Sequence, residues 1–276
     1  MNYVGWSHGT KLAAFYIDAY PRNVGRMVLD SAIDPSLSID QYNRGQSQAL
    51  EAQLMRFVDY CTAAGDCPLP ADHAAATAAL KTYLLSLPAE SDDPKTATRA
   101  DVMAALAEAM YIPPDSFPIL LDALQDGMGG DGAGLIDIGG LRDARSNRAQ
   151  ALFAINCYDS TPTPNVADTA KLAEQWNADT PIFGSINAWG GLRCNNFPAH
   201  DPIGPKRVRG EGAPPVVVVG AVDDGATPIA WSRALADQLV SARLVVADTG
   251  VHSVYPFYNR CVTRIVDEYL LDGLAP

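Results

Sequence analysis

The chain has 276 residues, 48% of them hydrophobic and 19% charged, which suits one large domain or a domain carrying a sizeable insertion. A formal net charge of −12 argues against a nucleic-acid backbone or an anionic membrane surface as partner. No apolar run approaches the roughly 18 residues of a membrane span, and no basic-then-apolar leader opens the chain.

Three textures follow one another. Residues 1–35 read as strand end, helix and strand: Tyr3-Val4, then Gly9 to Tyr20, then Met27-Val28-Leu29. Pro21 ends the helix, and the short apolar run suits a buried parallel strand. Residues 36–185 are Ala-rich and helical, with Leu50, Leu54, Phe57, Val58 and Cys61 at helical spacing. Leu80, Tyr83, Leu84 and Leu87 repeat that spacing, as do Phe117, Leu120, Leu121 and Leu124; these stripes are helix-packing faces. "LPAESDDPKT" and "DGMGGDGAG" read as loops, and "NRGQSQAL" as a polar helix surface. Gly127, Gly129 and Gly132 match G-x-G-x-x-G, but they follow a helix, so a loop and not a dinucleotide site is expected. Residues 186–276 return to the first texture, with "PPVVVVGAVDD" and "ARLVVAD" as strands, "TPIAWSRALADQL" as a helix, and a terminal helix. Alternating strand and helix is the pattern of a parallel α/β sheet, here interrupted by a helical insertion.

Five cysteines are an odd number and none forms C-x-x-C; neither His73 nor His200 has metal-ligand spacing around it, so no metal is expected. Cys61 and Cys67 bracket the short loop "CTAAGDC", which suits a local disulfide, and Cys157 with Cys194 makes a second. Two disulfides imply an oxidising compartment.

The chemistry concentrates at the two ends. Gly5-Trp6-Ser7-His8-Gly9 is a G-x-S-x-G pattern between a strand end and a helix, the context of a nucleophile elbow. A serine hydroxyl is a poor nucleophile at neutral pH and needs a base and an oxyanion site. Ser7 is the expected nucleophile and the backbone N–H of His8 one oxyanion donor. The order serine, acid, histidine then directs attention to Asp223 and Asp224 after "VVVVGAV" and to His252 in "LVVADTGVHSVY". His252 is the expected base, oriented by one of the two aspartates.

"YVGWSHGTKLAAFYIDAYPRNVGRMVLDSAIDP", "GAVDDGATPIAWSRALADQL", "GVHSVY" and "CVTRIVDEYLLDGLAP" resemble the secreted actinobacterial tripeptidyl aminopeptidases. These are relatives of proline iminopeptidase in the α/β-hydrolase superfamily, and the helical middle, with "YCTAAGDCPL" and "AINCYDS", fits their cap. The resemblance implies an α/β-hydrolase fold with a helical cap, no cofactor, and a serine exopeptidase releasing short peptides from peptide N-termini. It implies a secreted or envelope-associated protein. The family's acid stands three residues before Thr-Pro, which selects Asp224 over Asp223. The family has tyrosine where His8 stands and Gly-His where Val251-His252 stands; neither departure removes a catalytic side chain. An aminopeptidase must also recognise an ammonium, for which Asp159 in "NCYDS" is the candidate, against a plain turn-forming role before Ser160-Thr161-Pro162. Members of the family carry further strands and a Gly-Gly-Pro-Gly oxyanion loop before the elbow. The chain therefore reads as the C-terminal part of such an enzyme, with the second oxyanion donor absent and Cys261 left without a partner. Alternatives are an esterase or lipase-like hydrolase, since the same three side chains serve amides and esters, and a catalytically inactive fragment.

Overall fold

The computed structural model describes residues 1–140, 147–160, 165–199 and 204–276, so His200 and the Thr161-Pro162 turn lie outside the described residues. The chain divides into two compact units, Met1–Ala49 with Ile203–Pro276, and Leu50–Pro202. The first unit keeps more of the helical segment than the 35/36 boundary expected from composition.

In the first unit, four strands form a wholly parallel sheet in the order β1-β2-β3-β4. They are β1 (Tyr3–Trp6), β2 (Met27–Asp30), β3 (Val216–Ala221) and β4 (Ala242–Ala247). Helix α1 (His8–Ala19) links β1 to β2, α10 (Ile229–Gln238) links β3 to β4, and α11 (Arg260–Asp272) closes the unit. Every residue of β2 and β3 is buried, as expected for central strands of a sheet covered on both faces.

The pleat sorts the side chains. Met27, Leu29, Val216 and Val218 meet Ala13, Ala14 and Ile17 of α1 and Leu235 of α10 on one face. Val28, Val217, Val219 and Val245 meet Val262, Val266 and Tyr269 of α11 on the other. Each such aliphatic side chain contributes about 1.5–3 kcal/mol through burial. Tyr269 also ties the edges of its layer, its hydroxyl donating to Pro215 O at 2.6 Å and accepting from Met27 N at 2.8 Å.

The second unit is helical. After α2 (Ile39–Ala64), which begins in the first unit, come α3 (His73–Ser86), α4 (Arg99–Ala109), α5 (Pro113–Met128) and α6 (Ala133–Gly139). Then follow α7 (Asn147–Tyr158), α8 (Val166–Asp179) and α9 (Gly184–Gly190). The expected stripes converge in one core with Leu54, Phe57, Leu80, Leu106, Leu120 and Leu124 fully buried. Side-chain caps start several helices: Asp72 accepts from Ala75 N, and Thr98 with Asp101 forms a capping box. Within this unit the buried Glu51 carboxylate accepts the amides of Ile182 and Phe183, at 3.1 and 3.2 Å, just before α9. Burial raises its pKa, the two amides partly offsetting that. The G-x-G-x-x-G glycines fall at the end of α5 and in the turn before α6, not behind a strand.

Both disulfides, Cys61–Cys67 and Cys157–Cys194, lie in the helical unit, and Cys261 is an exposed free thiol in the sheet unit. Their partners are 6 and 37 residues apart. Loop-closure entropy then gives about 2 kcal/mol for the short bridge and about 4 kcal/mol for the long one. Replacing Cys157 and Cys194 together by Ala is therefore expected to lower the urea stability of the helical unit more than replacing Cys61 and Cys67. The opposite ranking would show that local constraint in the α2–α3 loop dominates.

Candidate active site

A parallel sheet brings the C-terminal ends of all its strands to one edge, and the loops leaving that edge carry the candidate residues. Ser7 follows β1, Asp224 follows β3, and His252 follows β4. The three are in the same unit.

Ser7 has φ 53° and ψ −123°, a backbone region that L-residues avoid. The strain is held by its neighbours. Its amide donates to Asp30 O at 3.0 Å, and its carbonyl accepts from Thr10 N at 3.0 Å and Thr10 Oγ1 at 2.6 Å. Thr10 Oγ1 in turn accepts from Ile33 N at 2.9 Å, so the turn is pinned to the chain leaving β2. Tightness also explains the small residue two positions before the serine. A Cβ on Gly5 would fall 2.5 Å from the Tyr3 ring and 2.9 Å from Gly9 O. Ser7 occupies the N-cap of α1 yet makes no side-chain cap bond, so its hydroxyl is not spent on the helix. His8 is the first residue of α1, where amides have no acceptor inside the helix. That is the position required of an oxyanion donor.

The structure joins Asp224 to His252. His252 Nδ1 lies 3.0 Å from Asp224 Oδ2 and 3.1 Å from Oδ1, and both residues are buried. Asp224 Oδ1 also accepts from Ala226 N and Thr227 N, each at 2.8 Å, and Oδ2 from Thr227 Oγ1 at 2.8 Å. This many donors fix the buried carboxylate in one orientation. Asp223 is half-buried, and its amide donates to Thr249 O at 3.1 Å. Residue order alone left the two aspartates open, and it is the Asp224 carboxylate that meets His252 Nδ1.

Several residues that hold this arrangement escape a reading of the sequence. Thr227, a landmark in the sequence, lies 3.2 Å from His252 Nδ1 and fastens the acid. Its spacing from Asp224, Asp-x-x-Thr, is that of a side-chain-to-backbone turn, and that is the signal available in sequence. The segment Asn43–Leu50, expected as a polar surface, instead buries Ser47 and Leu50. Gln46 Nε2 donates to Ala226 O at 3.0 Å, and Tyr42 stacks on Trp231 with ring centroids 4.8 Å apart. A Cβ at Gly45 would come 2.9 Å from that indole. Burial raises the Tyr42 pKa, Gln46 opposes this, and the Asp224 charge adds to it.

Asp159 lies in the helical unit, half-buried directly after α7, its amide donating to Ile155 O at 2.9 Å. Among the described residues no group of three or more His, Cys, Asp or Glu side chains is placed to hold a metal ion. No helix among the described residues is long and apolar enough to cross a membrane.

Residues 1–117 match a family model described as alpha/beta hydrolase fold, and residues 180–276 match one described as TAP-like protein. Among similar proteins, the serine protease Hip1 of Mycobacterium tuberculosis (strain ATCC 25618 / H37Rv) is 28% identical over 298 residues, covering 100% of this chain and 56% of that protein. The tripeptidyl aminopeptidase of Streptomyces lividans is 28% identical over 283 residues, covering 99% of this chain and 52% of that protein. Carboxylesterase B of the same M. tuberculosis strain is 30% identical over 273 residues, covering 94% of this chain and 52% of that protein. The chain thus spans about half the length of the curated relatives it matches.

The contrast between the two aspartates is directly testable. Asp224→Asn leaves His252 without its anionic acceptor and is expected to cost about 10⁴ in ester or peptide turnover. Asp223→Asn is expected to cost far less. Parallel assays of the two folded variants check this, and a larger loss at Asp223 would transfer the role to it.

Proposed function

We propose that this chain is an α/β hydrolase and carries the nucleophile, base and acid of a serine hydrolase that removes short peptides from peptide N-termini. The observation that carries the reading is the buried Asp224–His252 pair on the sheet edge from which Ser7 emerges in a strained elbow. The relatives named serine protease and tripeptidyl aminopeptidase favour peptides as substrates. The relative named carboxylesterase B favours a second reading, ester hydrolysis by the same side chains.

In the proposed reaction His252 Nε2 takes the proton of Ser7 Oγ as that oxygen bonds to the substrate carbonyl carbon. Asp224 holds the Nδ1–H tautomer and offsets the positive charge that develops on the ring. The carbonyl oxygen, now an anion, accepts from the His8 amide, with the second donor left to other chain segments. Collapse breaks the C–N bond, His252 returns its proton to the leaving amine, and a serine ester remains. Water, deprotonated by His252, then attacks that ester, releases the acid product and restores Ser7. No step needs a metal or an organic cofactor. Asp159 is the carboxylate assigned to the substrate ammonium. An oxidising, extracytoplasmic location is favoured by the two disulfides.

A fluorophosphonate probe followed by peptide mapping tests the nucleophile. Label is expected on Ser7 and lost in Ser7→Ala; a folded protein that takes no label there contradicts the reading. A panel of tripeptidyl and single-residue anilides beside short-chain p-nitrophenyl esters then separates peptidase from esterase. Asp159→Asn is expected to raise KM for free-amine peptides far more than for N-acylated ones. Equal effects on both would remove the ammonium role.

A further inference from the structure

The turn that presents the nucleophile and the loop that carries the base meet on one residue outside the proposed catalytic set. Asp30, the last residue of β2, accepts the Ser7 amide on its backbone oxygen at 3.0 Å. Its side chain turns to the other loop: Oδ2 accepts from Tyr255 N at 2.7 Å, and the Val254 amide is near enough to favour the charged form of this carboxylate. The next residue extends the contact, Ser31 Oγ accepting from Ser253 N at 2.8 Å. Three successive amides directly after His252 are therefore aimed at the end of β2. Such convergence needs an unusual backbone, and it coincides with φ 71° at Ser253 and φ 55° at Ser31. A run of amides bent this way forms a concavity for an anion, and here the anion is a side chain of the protein itself.

A residue that only fastened a loop need not be a carboxylate. Asp30 is completely inaccessible to solvent, and its second oxygen, Oδ1, is buried with no hydrogen-bond partner. Asparagine or serine would accept the same amide without placing a charge in the core, where an incompletely satisfied carboxylate is costly. The charged groups that act on it are His252 and Asp224. We propose that Asp30 is a positioning residue for His252: together with Ser31 it clamps the 253–255 amides, and it sets a second buried negative charge, besides Asp224, beside the loop that carries the imidazole. The proposal rests on the reading of His252 as the general base.

Burial pushes the Asp30 pKa up to about 6; the Tyr255 and Val254 amides and His252 pull it down, and Asp224 pushes it up further. Above that pH the ionised carboxylate favours the charged imidazole and tightens its hold on the amides. Below it, the neutral acid does neither. The loop behind His252 would thus be held most firmly on the alkaline side of Asp30 ionisation.

The test uses the full chain and does not depend on turnover. Ring-carbon NMR titration of His252 in wild type and Asp30→Asn compares its proton affinity with and without the charge. The variant is expected to bind the proton at least about threefold more weakly, a modest share of what a close charge exerts. An unchanged His252 titration would overturn the proposal. Wild-type amide exchange gives a second reading that needs no variant. After correction for intrinsic rates, protection of Val254 and Tyr255 is expected to rise between pH 5 and pH 7.5. Flat protection across that range would overturn the clamp. Fluorophosphonate labelling of the same wild-type samples keeps the two readings apart. Coupling of Asp30 to His252 without label on Ser7 supports the positioning role and contradicts the hydrolase.

Discussion

The backbone of Ser7 is the constraint from which the rest of the site follows. An L-residue at φ 53° and ψ −123° does not persist alone; such conformations cost about 1–3 kcal/mol and need surroundings that over-determine them. Here β1 delivers the chain, Gly5 lets Tyr3 and Gly9 O close in, and α1 leads it away. The amide is fixed to Asp30 and the carbonyl to Thr10. The strain turns the serine side chain out of both the sheet ladder and the helix cap. A relaxed serine at a helix start would use its hydroxyl to cap the first turn.

Asp224 and Asp30, both buried at this edge, are built in opposite ways. Asp224 is saturated with donors from Ala226, Thr227 and His252, so its orientation is fixed. Asp30 keeps one oxygen without a partner and remains sensitive to the charge of its neighbours. One carboxylate aligns the imidazole through Nδ1; the other acts through the backbone behind it. Both depend on parallel strands ending at a common edge, because β2 and β3 then bring their last residues close to the loop after β4. The α2 start adds a third support through Gln46 and the Tyr42–Trp231 stack, so the acid loop is braced from outside the sheet as well.

Much of this was legible in the residues. Runs such as Val216–Val219 have the fully apolar texture of central parallel strands, and the helical stripes of Leu54, Phe57, Leu120 and Leu124 do enter one core. The elbow was legible because G-x-S-x-G stood between a strand and a helix. What stayed hidden depends on contacts between distant residues. Residue order left Asp223 and Asp224 open, the family's spacing to Thr227-Pro228 pointed to Asp224, and the fold supplies the contact of Asp224 with His252. Asn43–Leu50 looks like a polar surface until Trp231, far along the chain, closes on Gly45. Asp30 reads as the polar end of a strand, since nothing near it in sequence reveals that residues 253–255 will aim their amides at it.

Whether Ser7 and His252 act as one unit is measured most directly by non-additivity. Groups that act together lose almost everything when either is removed, so a second deletion costs little more. The measurement is the rate of p-nitrophenyl ester hydrolysis by wild type, Ser7→Ala, His252→Ala and the double variant, each shown to be folded. Both single variants are expected to fall to a common residual rate, with the double variant staying there. Losses that multiply, with the double variant slower than each single one by the product of their separate effects, would mean the two residues contribute independently and would contradict that expectation.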